Sequence, residues 1–406
     1  MKHYILTFYL TILILQFVNA QFEECNSPTT KDLHDVNFIN ENIGVAIGDS
    51  GTIIRTIDGG LNWSIVMLND SVSFKKVKFF NSLDGISIGS DIYITQNGGT
   101  SWTKSDNSNY EFYDVEILND STCLLSGMPN RLIKSTNYGY DWEIIVSDTS
   151  DYNIRFLSFL NEQIGYASHW DGSVIESTLK TQDGGETWIE IEDESGSHIT
   201  LIEDISFISE DIGFRGGWYN PHLMSTQNSS EYWQDVNLPD STTISGFGIY
   251  DFHIESSLPN AFYACGWYGD IFKSTDGGNN WIELNSGLAS TTSLYGIFFI
   301  NDSVGWAVGQ NGTIIKTSNG GGTVGLIDVK ENLKLNLFPN PTRDVVHIGK
   351  QKVFEIEEIR LYDLNGRRLK AENNKETINL RPFSDGIYII EIKTNKGISR
   401  KKIVKK

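Results

Sequence analysis

A chain of 406 residues has room for one large domain and a smaller one. Up to Lys330 it carries 42 acidic and 15 basic side chains, and such negative charge argues against binding to nucleic acid or to anionic membranes. From Glu331 onward the balance reverses to 10 acidic and 17 basic side chains, which indicates a domain boundary. Three cysteines permit at most one disulfide and exclude a disulfide scaffold.

The first twenty residues have the pattern of a cleavable signal peptide. Lys2 and His3 precede an apolar run that extends from Ile5 to Phe17. Val18-Asn19-Ala20 then supplies the small residues that signal peptidase requires. The run is short for a bilayer span. We therefore predict that residues 1–20 are removed and that the mature chain has no transmembrane segment.

Seven imperfect repeats follow, ending at Gly322. Each contains an apolar strand, a glycine, two further strands and a T-x-D-G-G-x-x-W box; the clearest copy is VNFINENIGVAIGDSGTIIRTIDGGLNW, from Val36 to Trp63. Successive box tryptophans lie 39 to 48 residues apart, a period typical of four-stranded propeller blades. The prediction is an all-β chain with a seven-bladed β-propeller over residues 21–322. The seventh repeat lacks its outer strand, and residues 22–35 are one candidate to replace it.

The box predicts a tight turn ahead of the fourth strand of each blade. Its Asp or Asn accepts backbone N–H bonds, and its glycines adopt positive φ without steric cost. Its tryptophan packs against a neighbouring blade. One carboxylate per turn is too few to hold a hard cation, so we predict no metal and a structural role. These structural residues are Asp58, Trp63, Asn97, Trp102, Asn137, Trp142, Asp183, Trp188, Asp276 and Trp281.

The boxes resemble the Asp-box (BNR) repeats of sialidases. The fuller form G-x-x-G-T-I-I-x-T-x-D-G-G-x-x-W resembles the propeller of the Ycf48/Hcf136 family of photosystem II assembly factors, over Val36 to Gly322. The resemblance implies the fold; it carries less about function, because the matched residues form turns and packing contacts. By analogy with that family, one possible role is an assembly factor for an envelope complex.

Three consecutive blades place aromatic residues in the turn between their second and third strands. The first blade has Gly48-Asp49-Ser50-Gly51 in this position, a small and polar turn. Turn tips lie on the surface, where aromatic rings suit the apolar face of a sugar or a peptide side chain. The predicted ligand-binding residues are Trp170, Trp218, Tyr219, Trp267 and Tyr268, with Arg215 as a partner for an anionic group. The alternative is that these rings pack beneath neighbouring loops.

The residue inventory favours binding over catalysis. The sialidase resemblance implies three arginines and a tyrosine nucleophile paired with a carboxylate. Before residue 331 there are four arginines, which occupy different positions in their blades: Arg55, Arg131, Arg155 and Arg215. Histidine and cysteine are too sparse for a zinc site. We therefore predict no catalytic residue and no cofactor; a glycan-active hydrolase, sialidase-like or another glycosidase, stays as the alternative.

The pattern changes after a linker, residues 323–332, which follows the glycine run Gly320-Gly321-Gly322. Short alternating strands separated by Asn-Pro, Asn-Gly and Asp-Gly turns predict a small β-sandwich over residues 333–406. Three motifs in this segment resemble the type A sorting domain of the type IX secretion system. Their residues are Phe338, Pro339, Asn340 and Pro341; Tyr362, Asp363 and Gly366; and Gly386 and Tyr388.

That resemblance implies a transport address, read by the outer-membrane translocon of a Bacteroidota-type bacterium. The chain would pass through the periplasm to the cell surface or the extracellular space. Together these features predict an exported, non-enzymatic binding or adhesion module, whose partner is a glycan or a cell-surface protein. The sequence leaves open the pairing of Cys25, Cys123 and Cys265 and the oligomeric state.

Overall fold

The computed structural model describes most of the chain after the predicted signal peptide. The described residues are 21–105, 110–128, 131–146, 153–170, 176–191, 200–218, 223–228, 232–236, 238, 248–254, 261–289, 291–322, 336–349, 356–362, 368–373, 375–394 and 397–406. They divide into two compact units between Gly321 and Gly322. Within these ranges, no helix has the length and apolar character needed to cross a membrane.

The described part of the first unit forms seven four-stranded antiparallel sheets, which are the blades. A short strand, β1 (Glu23–Glu24), precedes them. The strands of blades one to four are β2 (Leu33–Phe38), β3 (Gly44–Gly48), β4 (Thr52–Thr56), β5 (Ser64–Met67); β6 (Phe74–Phe79), β7 (Gly85–Gly89), β8 (Ile92–Thr95), β9 (Thr103–Lys104); β10 (Glu111–Ile117), β11 (Cys123–Met128), β12 (Arg131–Ser135), β13 (Glu143–Val146); and β14 (Ile154–Phe159), β15 (Gly165–Trp170), β16 (Glu176–Thr181), β17 (Ile189–Ile191).

The remaining three blades repeat this order. Their strands are β18 (Thr200–Phe207), β19 (Gly213–Trp218), β20 (Leu223–Thr226), β21 (Trp233–Asp235); β22 (Ile249–Ile254), β23 (Phe262–Gly266), β24 (Ile271–Ser274), β25 (Trp281–Leu284); and β26 (Leu294–Phe299), β27 (Gly305–Gly309), β28 (Ile314–Thr317). Single 3₁₀ turns, Trp267–Gly269 and Gln310–Gly312, join strands two and three in the last two blades. Each first strand packs against the first strands of both neighbouring blades, and β26 packs against β2. The ring is therefore closed around a central channel, and the predicted seven-bladed propeller is confirmed.

The first residues that the structure describes close the ring. β1 pairs antiparallel with β28 through Glu23↔Lys316 and Glu24↔Ile315, which supplies the strand that the truncated seventh repeat lacks. Phe22 is 1% exposed and belongs to the apolar core of the last two blades. The ring thus has one seam, where its two ends meet in the seventh blade.

A phenylalanine-on-glycine contact explains why a glycine begins the second strand of most blades. In the first blade a Cβ atom on Gly44 would lie 2.6 Å from the ring of Phe38. The other face of that ring stacks on Trp306 of the seventh blade, with centroids 3.4 Å apart. Phe79, Phe159, Phe207 and Phe299 cover the equivalent glycines. The glycine therefore makes room for a ring that packs one blade against the next.

The boxes form hydrogen-bonded turns between strands three and four. Asp58 Oδ1 accepts hydrogen bonds from the Thr56 hydroxyl and from the backbone N–H of Asn62, each 2.9 Å long. The Trp63 indole donates to the carbonyl of Gly60 at 3.0 Å, and its ring is 7% exposed. Corresponding bonds are made by Asn97, Asn137, Asp183 and Asp276. Trp188 and Trp281 are also buried, whereas Trp102 and Trp142 are half-buried.

The described part of the second unit forms two antiparallel sheets that share an apolar core. One sheet holds β29 (Asn336–Phe338), β30 (Val345–Gly349) and β33 (Thr377–Asn379); the other holds β31 (Ile356–Tyr362), β32 (Arg368–Asn373), β34 (Gly386–Thr394) and β35 (Gly397–Lys405). Both sheets contribute to the core, for example Val346 and Ile378 from the first and Ile359 and Ile390 from the second.

The predicted sorting motifs lie at the turns and strands of this sandwich. Asn340, between Pro339 and Pro341, donates to the carbonyl of Lys402 and accepts from the N–H of Val404, both at 3.0 Å. It thereby fastens the turn to β35. Phe338 is half-exposed and stacks on His347. Tyr388, in the strand begun by Gly386, is buried and donates to the carbonyl of Ser384 at 2.6 Å. Tyr362 ends β31, while Asp363 and Gly366 lie outside the described residues.

The three cysteines are unpaired. Cys123 and Cys265 are fully buried in the apolar cores of different blades, and Cys25 is half-buried. Burial raises the pKa of the Cys25 thiol to about 11. The thiols therefore stay protonated and unreactive at neutral pH.

Candidate ligand-binding site at the channel mouth

A β-bulge interrupts the register of each innermost strand near its start. In β2, for example, the pairing with β3 shifts between Leu33 and Asp35. A bulge re-aims the side chains on either side of it. As a result, consecutive residues such as His34 and Asp35 both line the channel, one above the other, in two successive cavities.

Aspartates are the commonest residues at the deeper of the two levels, which is called the middle ring. Its positions, one from each blade by alignment of the innermost strands, are Asp35, Lys76, Asp114, Phe156, Asp204, Asp251 and Gly296, of which the four aspartates and Lys76 line the deeper cavity. Each of its aspartates accepts a backbone N–H from the next blade; Asp35 Oδ2, for example, lies 2.8 Å from the nitrogen of Val77. Three of them also accept the N–H of the following residue in their own strand. The middle ring thus joins neighbouring blades through side-chain to backbone bonds.

Lys76 crosses the channel and divides it. Its ammonium group, from blade two, donates to Asp251 of blade six, and its side chain is 15% exposed. Burial opposes the charge, yet Asp251, Asp204 and Asp35 hold the pKa of Lys76 well above its usual value. Burial also raises the pKa of Asp35 to about 7, with Asp251 adding to the rise and Lys76 opposing it. Lys76 forms the floor between a lower cavity of about 300 Å³ and an upper one of about 340 Å³.

The upper cavity opens at the channel mouth. One side chain from each blade, at the position just before the middle ring, lines it. This mouth ring consists of His34, Lys75, Tyr113, Arg155, Glu203, Tyr250 and Tyr295. All seven are half-buried. They therefore combine a fixed position with access to solvent, as a binding site requires.

One side of the mouth is cationic. Lys75 Nζ lies 4.5 Å from the ring centroid of Tyr113 and 2.6 Å from a carboxylate oxygen of Glu111. The Arg155 guanidinium lies 5.3 Å from the same tyrosine ring and 5.1 Å from Phe156. Both cations of the mouth ring are thus held against aromatic faces in blades two to four.

The other side is aromatic and carries one acidic group. The rings of Tyr250 and Tyr295 are 5.1 Å apart at an angle of 78°, and Tyr295 lies 5.5 Å from His34. Behind Tyr250, the indoles of Trp218 and Trp267 are 5.4 Å apart at 76°. The Trp267 indole donates a hydrogen bond to the hydroxyl of Tyr250. The turns of blades five and six therefore support the wall of the mouth.

Burial dominates the protonation equilibria in the mouth. It raises the pKa of Glu203, against the effect of Arg155, Lys75, Lys76 and the neighbouring Trp218 indole. It also raises the pKa values of Tyr113, Tyr250 and Tyr295 above that of a free phenol. These tyrosines are consequently neutral hydrogen-bonding groups at physiological pH.

The structure separates the sequence-predicted ligand residues into three groups. Trp218 and Trp267 are in contact beside the mouth, and Tyr268 lies 6.0 Å from Trp267 in a left-handed backbone conformation with φ of 60°. Trp170 is half-buried at the end of β15, where its backbone N–H donates to the carbonyl of Asn153 at 3.1 Å. Tyr219 lies outside the described residues.

Arg215 requires a correction. We expected it to extend to the rim, but it is 1% exposed. Its guanidinium lies 4.4 Å from the ring of Trp233 and within 3.4 Å of the Met224 sulfur. The cause is its place in β19, a second strand with blades packed on both faces. Arg155 of the first strand lines the mouth instead.

The mouth ring itself was missed in the sequence, although a signal for it is present. Aligning the innermost strands gives H-D-V, K-K-V, Y-D-V, R-F-L, E-D-I, Y-D-F and Y-G-I in successive blades. The second residue of each triplet belongs to the middle ring, in which aspartate recurs. The first residue of each triplet belongs to the mouth ring. This first position carries a polar or aromatic residue in every blade. That repeated pattern is the sequence signal for a binding site in the channel.

Comparison with known proteins supports this architecture. Residues 15–109 and 215–318 match the family model of the photosynthesis system II assembly factor YCF48. Residues 336–406 match the secretion system C-terminal sorting domain. The chain is a Ycf48-like propeller followed by a type IX sorting domain. The sorting domain marks this Ycf48-like protein for secretion to the cell surface or the extracellular space.

Relatives of the Ycf48-like propeller are distant. The photosystem II stability/assembly factor HCF136 of Guillardia theta is 24% identical over 77% of this chain and 87% of its own length. The photosystem II assembly lipoprotein Ycf48 of Synechococcus sp. strain CC9902 is 22% identical over 68% of this chain and 82% of its own length.

Solved structures agree in fold. A structure described as YCF48 bound to D1 peptide has a TM-score of 0.59 at 19% identity, covering 74% of this chain and 97% of that one. A GH74 xyloglucanase from Xanthomonas campestris has a TM-score of 0.54 at 13% identity, covering 81% of this chain and 59% of that one. At these identities the likeness concerns the fold alone.

Proposed function

We propose that this protein is an exported, non-enzymatic binding module, and that its propeller holds a peptide segment of a partner protein at the channel mouth. The observation that carries the proposal is the mouth ring: seven half-buried side chains converge on a cavity of about 340 Å³ above a closed floor. They combine aromatic, cationic and acidic groups, the mixture that binding pockets use to fix and orient a ligand.

The size and shape of the mouth favour a peptide. A cavity of about 340 Å³ accepts one large side chain or two small ones, and the Lys76–Asp251 bridge prevents a chain from threading the channel. The rest of the ligand would lie across the rim, where Trp218 and Trp267 are half-buried. The related structure described with a D1 peptide supports the same class of ligand.

The chemistry of the mouth favours binding over hydrolysis. Among the residues that line the described cavity, Glu203 is the single carboxylate, whereas glycoside hydrolysis commonly needs two. A tyrosine nucleophile needs a neighbouring base to promote ionisation, yet burial raises the pKa values of Tyr113, Tyr250 and Tyr295. The mouth therefore stabilises the neutral phenols.

Selection from a random-peptide library by the purified protein tests this proposal. Selected peptides should bind the wild type and lose binding to Tyr250→Ala and Tyr295→Ala, while Ile189→Ser, an exposed change on β17, leaves binding intact. Binding that survives both mouth variants would show that the mouth is not the site. Release of reducing sugar from a glycan panel, abolished by Glu203→Gln, would establish a hydrolase instead.

A further inference from the structure

We propose that the group held in the mouth is the cationic side chain of a lysine or arginine, placed between Glu203 and the rings of Tyr250 and Tyr295. This inference rests on the function proposed above and specifies the chemistry of its ligand. Four independent features of the mouth support it: the ring geometry, the position of Glu203, the arrangement of the cations already present, and the charge of the propeller.

The rings provide a partial aromatic cage. Tyr250 and Tyr295 line the cavity with their planes 78° apart, so the face of one ring meets the edge of the other. Two tyrosines at a steep angle form a corner, and both residues line the cavity. A cation within about 6 Å of such ring faces is attracted by their quadrupoles, most strongly where water is excluded. The Trp267 bond to the Tyr250 hydroxyl fixes this corner in advance.

Glu203 lies next to the corner. It precedes the middle ring in blade five, Tyr250 occupies the same position in blade six, and its charge raises the pKa of Tyr250. Glu203 is half-buried, and burial outweighs three nearby cations in setting its pKa. A buried carboxylate has lost part of its hydration, and the nearby charges do not fully replace it. An incoming cation therefore stabilises the carboxylate by forming a charge-assisted hydrogen bond with it.

The cations of the mouth direct the ligand to this corner. Lys75 is paired with Glu111, and both Lys75 and Arg155 lie against Tyr113. Both are held in blades two to four, so that repulsion keeps a ligand cation away from Tyr113, although their charges also act on Glu203. The acidic and aromatic groups of blades five to seven remain to receive it.

The overall charge acts in the same direction. Up to Lys330 the chain carries 42 acidic and 15 basic residues, and a field of this sign raises the local concentration of cationic ligands. A basic peptide is therefore attracted at long range, which an acidic peptide is not. Association should accordingly weaken as salt is added.

Four blocked tripeptides, acetyl-Gly-Xaa-Gly-amide with lysine, arginine, norleucine or glutamate as Xaa, test the inference by calorimetry with the full-length protein. Lysine and arginine peptides should bind in the millimolar range, at least about tenfold more tightly than the norleucine and glutamate peptides. Glu203→Gln, which keeps the side-chain shape, should weaken the two basic peptides about tenfold. Glu190→Gln, on the exposed face of β17, serves as the matched control and should change nothing.

Equal affinity for the lysine and norleucine peptides, or no binding by any of the four, would overturn the inference. Unchanged affinity in Glu203→Gln would do the same. Should that variant fold poorly in thermal melts, Tyr295→Leu is the second test, since it keeps the apolar volume and removes the π face. If library-selected peptides depend on the mouth but contain no basic residue, this inference fails while the proposed function stands.

Discussion

The ammonium group of Lys76 in the second blade meets the carboxylate of Asp251 in the sixth, on the opposite side of the ring. This bridge spans the channel and is surrounded by the buried carboxylates of Asp35 and Asp204. Removing the cation leaves several buried carboxylates without their counter-charge. We expect Lys76→Met to lower the free energy of unfolding by about 3–5 kcal/mol, as measured by urea denaturation.

The matched control for the bridge is an exposed pair. Lys104 lies 2.8 Å from Asp91, and its side chain is 46% exposed. Lys104→Met should change the free energy of unfolding by less than about 1 kcal/mol. Equal effects of the two substitutions would show that the channel bridge has no special role in stability.

Asp270 predicts a pH dependence. Burial, with a smaller effect of Glu283, raises its pKa from 3.8 to about 7. A carboxyl group whose pKa is raised by folding stabilises the folded state fully when the pH is below its pKa in the unfolded chain. This stabilisation is lost as the pH rises through its pKa in the folded protein. Asp270→Asn should therefore match the wild type near pH 4 and exceed its free energy of unfolding at pH 8 by on the order of 1 kcal/mol, after allowance for solvent screening.

Urea denaturation across this pH range provides the measurement. Asp70→Asn, at an exposed position, is the control and should show no comparable change between pH 4 and pH 8. An Asp270→Asn variant whose difference from the wild type is the same at every pH would contradict the expectation.

The tryptophans of boxes and of turns should differ in their effect on stability. Trp281 is 6% exposed, and its indole donates to the carbonyl of Gly278 at 3.0 Å. Trp281→Ala should cost about 3–5 kcal/mol. Trp170→Ala, Trp218→Ala and Trp267→Ala remove half-buried rings and should each cost less, about 1–2 kcal/mol.

Thermal melts of the four tryptophan variants separate these groups without knowledge of the ligand. If the turn variants melt as low as Trp281→Ala, their rings are core residues and do not form an accessible support for the mouth.

The seam of the ring predicts a strong effect of a residue near the mature N-terminus. Phe22 is 1% exposed in a core that also contains Tyr263 and Phe299. Phe22→Ala should lower the free energy of unfolding by about 3–5 kcal/mol. Glu23→Ala, its exposed neighbour, should change it by less than about 0.5 kcal/mol. A near-neutral Phe22→Ala in calorimetric melts would mean that the ring closes without this segment.

Deletion of residues 333–406 tests the export route. The chain divides into two compact units between Gly321 and Gly322, so the propeller should fold without the sorting domain. We expect the truncated protein to accumulate in the periplasm with an unchanged melting temperature. Cell fractionation decides the matter: normal amounts at the surface would contradict a sorting function for the deleted segment.

The fold was largely accessible from sequence because its signals are local. The tryptophan period, the box glycines and the alternating strands each depend on neighbours in the chain. The turn at Asn340 could also be predicted from sequence, since Pro339 and Pro341 flank this residue. These patterns specify blades and a sandwich without reference to distant contacts.

The site was less accessible because it depends on distant residues. Lys76 and Asp251 are 175 positions apart, and no short window relates them. Arg215 was wrongly placed beside the aromatic turns, because the sequence does not show that Trp233 lies against its guanidinium. The mouth ring becomes visible only when seven short strands are aligned with each other.

The pairing at the seam also predicts how the ring responds to a pulling force. β1 pairs with β28 through two residue pairs, and the chain leaves β28 through the last box toward the second unit. A surface protein that is held through its C-terminal end and pulled through a bound partner would feel tension along β28. That tension acts on a strand whose outer partner is held by only two residue pairs. Force would therefore be expected to open the seventh blade first and to leave the mouth residues of blades two to five undisturbed until later.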